Sequence, residues 1–104
     1  MAEEKTIDER YLISRKRGNG QIRREVWTDE GGKVVRYNLA YINHALYAGD
    51  NGRVLGYDNN HGFHHKHFMG EVKPVVFSSM EELEERFYQE WTNLLPQSKG
   101  RARN

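Results

Sequence analysis

The sequence predicts an α+β fold: a twisted antiparallel β meander of about five to six strands, with one C-terminal amphipathic helix packed on one face. Three observations lead there. Gly/Asn/Asp clusters recur at short intervals, at GNG (18–20), DEGG (29–32), AGDNG (48–52) and DNNHG (58–62), and such residues supply the positive φ of tight turns. The runs between them are short and rich in Val, Ile, Tyr and Trp. Only the stretch after residue 78 changes to a helical period.

Taken in order, the expected strands are YLISR (11–15), QIRREVW (21–27), KVVRYNLAYINHALY (33–47), RVLGY (53–57), FHHKHFM (63–69) and EVKPVVF (71–77). Pro74 lacks a ladder donor, which favours an edge position or a bulge for the last of them. The helix begins at a capping box, Ser79 followed by Glu82. Met80, Leu83, Phe87, Trp91, Leu94 and Leu95 then form an apolar stripe with acids opposite, and Pro96 stops it. The stripe reads as core. One domain over 1–104 follows, with a core of about 8–96 and flexible tails at 1–7 and 97–104.

Composition narrows the chemistry. The chain has no cysteine, so disulfide frameworks and thiolate metal sites are excluded. The start, MAEEKTIDER, lacks the apolar run of a signal peptide, and no apolar run approaches the length of a membrane span. A cytoplasmic protein without membrane contact is expected. Net charge is +1, but Arg10, Arg15, Lys16, Arg17, Arg23 and Arg24 crowd one end, while Glu81, Glu82, Glu84, Glu85 and Glu90 crowd the helix. Solvated faces account for such clusters. The basic end also suits a phosphate backbone.

Four of the five histidines lie in YDNNHGFHHKHFM (57–69). If 63–69 is a strand, alternation puts Phe63, His65, His67 and Met69 on one face and His64, Lys66 and Phe68 on the other. Three readings compete. As a metal site, His65 and His67 could supply two ligands, and with Glu71 they match part of the cupin signature. No histidine follows position 67 to complete it. As an acid/base site, His65 and His67 could move protons on a phosphodiester, with Lys66 or an arginine of 10–24 for the phosphorane. Asp58 could orient an imidazole, although Asp and Asn in Tyr57-Asp58-Asn59 also suit a plain turn. The third reading is a polar strand that happens to carry histidines. His44, alone in an aromatic run, reads as structural.

The compound of Tyr57-Asp58-Asn59 with His64-His65-Lys66-His67 resembles the signature of the TumE-like family of small bacterial proteins, over about residues 33–95. Here only Asn60 to Phe63 separate the two halves, and Gly56 precedes Tyr57. The resemblance implies the toxin of a toxin–antitoxin pair, acting on RNA or translation and neutralised by a helix-turn-helix antitoxin.

The reading that combines these is a toxin-like, metal-independent endoribonuclease without a cofactor. His65 and His67 are the expected acid/base pair, with Lys66, Asp58 and His64 as further catalytic candidates. Tyr57, Asn59, His61, Arg15, Lys16, Arg17, Arg23 and Arg24 are candidates for holding RNA. A homodimer is left open. The alternatives are a non-catalytic nucleic-acid-binding module using Arg15–Arg24 with Tyr37 and Tyr41, or a metal-dependent enzyme built on the His-x-His strand.

Overall fold

The computed structural model describes residues 2–96, with His61 described by its backbone alone; the expected tail at 97–104 lies outside the described residues. Six strands follow one another as β1 (Glu4–Leu12), β2 (Gln21–Thr28), β3 (Val34–Ile42), β4 (Arg53–Asp58), β5 (His65–Phe68) and β6 (Glu71–Pro74). Each pairs antiparallel with the next, so spatial order equals chain order. This is the α+β meander that the turn spacing predicts. The turns form where the glycines and asparagines put them. At 69–70 Met69 (φ 47) and Gly70 (φ 88) both take positive φ, as a two-residue hairpin requires. The strand with Pro74 lies at the sheet edge.

The first strand departs from expectation. Residues 4–7 are strand rather than flexible tail, and β1 ends at Leu12 instead of spanning YLISR. Charge replaces hydrophobicity as the pairing signal. Lys5 binds Glu25 at 2.8 Å, Asp8 accepts from Arg23 at 3.4 Å, and Glu9 accepts from Arg24. The third run is also cut short, at Ile42, because the Asn43 side chain accepts from the Ala45 and Leu46 amides and turns the chain.

The helix α1 (Met80–Asn93) is capped by Ser79, whose hydroxyl accepts from the Glu82 amide at 3.0 Å. Leu83, Phe87 and Trp91 are buried against Leu39, Tyr41, Leu55 and Tyr57 of β3 and β4. Tyr37 and Tyr41 belong to this core, at 1% and 0% exposure, so they are not the surface stacking platforms of the binding-module reading. Period two puts them on the helix-covered face. Two helix acids turn inward at its flanks: Glu84 takes two bonds from Arg24, and Glu90 accepts from Tyr57 at 2.6 Å. Among the described residues the opposite face of the sheet carries no helix, and His65 and His67 open onto it.

Candidate active site

Strand register assembles the site. Asp58 pairs with His65, and Gly56 with His67, across β4 and β5. These four residues share the open face, whereas Tyr57 and Lys66, paired next to them, share the helix face. Asp58 does two jobs: its Oδ1 accepts from the Asn60 amide at 3.1 Å, making the expected turn, and its carboxylate also faces both imidazoles.

The hydrogen bonds assign the protons. His65 Nε2 lies 2.9 Å from Asp58 Oδ1, and its Nδ1 lies 3.0 Å from the Phe63 carbonyl. Both partners accept, so His65 makes both bonds as a donor only as an imidazolium. His67 differs. Its Nε2 lies 3.0 Å from Asp58 Oδ2, but its Nδ1 faces Arg53 Nη2 at 3.1 Å. A guanidinium only donates, so Nδ1 accepts and His67 is neutral, with its proton on Nε2. The two rings stand 4.8 Å apart around one buried carboxylate, 3% exposed. Ion pairing to His65 and Arg53 (3.6 Å) compensates the burial of that charge. The arrangement is a chain of alternating roles: a histidine between two acceptors, a carboxylate, a neutral histidine, a guanidinium.

Burial and then the Arg53 charge push the His67 pKa below its ordinary value of 6.5, against the pull of Asp58. The folded state therefore binds this proton less readily than the unfolded chain does. Stability from neutral His67 is present above about pH 6.5 and is lost as the pH falls from there toward the lowered folded value. Arg53, Asp58 and His65 are the charged groups that face the ring. Between about pH 7.5 and about pH 5.5, urea unfolding should show a larger loss for wild type than for His67→Gln, which cannot titrate. Equal losses would sink the assignment.

The other expected site residues are placed elsewhere. Lys66 points to the helix side, with Nζ 3.2 Å from Glu90 Oε2. His64 is stacked on Phe77 at 4.3 Å, with its Nδ1 2.8 Å from the Tyr37 hydroxyl. Tyr57 is a core residue, and burial followed by its bond to Glu90 raises its hydroxyl pKa far above the ordinary value. Asn59 bonds the backbone of Tyr37 and Val35 and extends the β3–β4 pairing. The His61 side chain lies outside what is described. Arg23 and Arg24 are spent on carboxylates of neighbouring elements. Arg15, Lys16 and Arg17 form an exposed turn at the far end of β2, about 14 Å along the sheet and about 10 Å across it from the Asp58 row.

Two contributors were not anticipated, Arg53 and Gly56. The only sequence signal was a glycine inside an otherwise apolar strand, which marks a close approach. Asp50 joins them by accepting from Arg53 Nε at 2.9 Å.

By donor type, Asp58, His65 and His67 could hold a metal, their ligand atoms lying within 4.8 Å of one another. The surroundings fit poorly. A histidine ligating through Nε2 carries its proton on Nδ1, where it needs an acceptor. For His67 that neighbour is a donor, Arg53. Glu71, on the edge strand beside Phe68, adds nothing to the set.

No helix among the described residues is long and apolar enough to cross a membrane. No curated relative and no solved structure matches the chain. The family described as "Toxin TumE" does, over residues 9–95, which takes in the end of β1, the whole of β2 to β6 and the helix. The chain belongs to the TumE toxin family.

Proposed function

We propose that this toxin is a metal-independent endoribonuclease and that His67, His65 and Asp58 form its catalytic centre. Membership of a toxin family implies an antitoxin partner; in this reading it is a helix-turn-helix protein that neutralises the toxin, and the toxin acts on RNA in the cytoplasm. The observation that carries the proposal is the unequal setting of two histidines on one carboxylate: His65 lies between two acceptors, whereas His67 has a donor, Arg53, on its Nδ1. In this reading His67 offers a lone pair and His65, between two acceptors, serves as the protonated partner, the two states that cleavage by a 2′-hydroxyl needs. His67 Nδ1 takes the 2′-hydroxyl proton as O2′ bonds to phosphorus. The P–O5′ bond breaks, and the leaving oxygen takes its proton from the His65 imidazolium. Products are a 2′,3′-cyclic phosphate and a 5′-hydroxyl. Asp58 keeps both rings in place and stabilises the imidazolium.

The test uses purified protein, RNA and excess chelator. Wild type should leave cyclic-phosphate ends, and His67→Ala and His65→Ala should each be slower by about 10²–10⁴-fold. Undiminished cleavage by both variants would remove the catalytic assignment. Activity that appears only with an added ion would favour the metal-dependent alternative, and salt-sensitive binding with intact RNA the binding-module one.

A further inference from the structure

The lone pair that this chemistry uses is covered. Arg53 Nη2 sits on His67 Nδ1, and the guanidinium reaches it by a specific route. The Arg53 stem lies across Gly56, the residue paired with His67 in the ladder. A Cβ at position 56 would stand 2.7 Å from Arg53 Cδ and 3.2 Å from the Leu39 carbonyl oxygen, so any side chain there would push the arginine off its bed. Asp50 holds Nε at 2.9 Å, in a turn where Asp50 (φ 51) and Asn51 (φ 55) are left-handed. The Arg53 side chain still keeps 22% of its surface exposed. It borders a cleft of about 280 Å³ on the open face, shared with Glu25, Trp27, Arg36, Asn38, Asp58 and Asn60. Arg36 lies 4.1 Å over the Trp27 ring, so the cleft offers a flat cationic stack and two amides. These are the furnishings of a site for unpaired nucleotides.

We propose that Arg53 is the phosphodiester-binding residue of this face, and that a phosphate of single-stranded RNA lifts it from His67 and so uncovers the base. The catalytic half of this inference rests on the ribonuclease reading; the binding half does not. A guanidinium meets phosphate through two parallel charged bonds, whereas it gives an imidazole nitrogen one neutral-acceptor bond, so the exchange favours phosphate. Charge does not forbid it. Arg53 faces Asp50 and Asp58, and Glu25 of the cleft is paired with Lys5 and Arg23. The incoming anion meets Arg36, whose ion pair with Glu3 is exposed, and the proton that His67 acquires. Arg53 then lies beside the phosphorane, in the role that sequence reasoning gave to Lys66 or the basic end.

A short single-stranded DNA oligonucleotide is the probe, because it carries phosphodiesters and lacks the 2′-hydroxyl needed for cleavage. Arg53→Met should weaken its binding by about tenfold to a hundredfold, the worth of charged hydrogen bonds. Asp50→Asn, which frees Arg53 and removes a repelling carboxylate, should tighten it severalfold, an outcome misfolding cannot imitate. Saturating oligonucleotide should shift the His67 Nδ1 nitrogen resonance in wild type and leave it unmoved in Arg53→Met. Equal binding by wild type and Arg53→Met, or an unmoved resonance in saturated wild type, overturns the proposal. Arg53-dependent binding with RNA left intact would retain the phosphate site and discard the ribonuclease reading. RNA cleavage at the parental rate by Arg53→Met would do the reverse.

Discussion

Asp58→Ala is expected to abolish toxicity and to cost about 3–5 kcal/mol of stability, the penalty for leaving a buried charge without its partner. The carboxylate accepts from His65, His67 and the Asn60 amide, with Arg53 at its edge. Its loss strands His65, 4% exposed, with one acceptor for two donors. The ring then has no carboxylate to hold its Nε2 side in place for the chemistry. Asp58→Asn separates the two effects. Its amide preserves the shape and the turn bond, so about half or more of the stability should return. It cannot accept from both rings, so RNA cleavage should stay at the Asp58→Ala level. Urea unfolding and cleavage rates on the same preparations check this. A stability loss under about 1 kcal/mol for Asp58→Ala would mean that the carboxylate is not the counter-ion of the site.

The fold was legible because its signals are local. Gly/Asn/Asp clusters bracket nearly every strand, and the change of period after residue 78 locates the helix. β1 was legible only in part, since EKTIDER looks like a solvated tail until the facing strand supplies Glu25, Arg24 and Arg23. Cross-strand charge pairing cannot be read from one strand alone. The same reason governs the basic cluster at 10–24. Arg23 and Arg24 look free in sequence, yet alternation sends one to each face, where each finds carboxylates.

The site follows a similar rule. That His65 and His67 share a face, and that Lys66 does not, is a consequence of period two, readable from the chain. That His64 stacks on Phe77 is not readable, because it depends on where the segment after β6 returns. Nor could the sequence tell the two histidines apart. Their different settings come from a backbone carbonyl on one and an arginine fourteen residues away on the other. Arg53 and Gly56 lie within one strand, but their meaning needs the β4–β5 register.

The sheet presents this site only while its other face is covered, which makes Phe87 the strongest test of the scaffold. Phe87 is 1% exposed, and its ring meets Tyr57 edge to face at 6.3 Å, directly behind Asp58 in the chain. Truncation to alanine should cost about 3–5 kcal/mol, from lost transfer energy and an unfilled cavity between helix and sheet. Phe87→Leu should cost less than half of that, since much of the volume is retained. Stabilities of small domains are about 5–15 kcal/mol, so the alanine variant should be largely unfolded at moderate urea and weakly toxic. Its defect differs in kind from that of Asp58→Asn. Saturating antitoxin or low temperature should restore folded Phe87→Ala, and the folded fraction should then cleave at the parental rate after the antitoxin is removed, because none of its atoms touches the reacting groups. A loss below about 1 kcal/mol would show that the helix is not part of the cooperative core, and the open face would then have to hold Asp58, His65 and His67 in place without it.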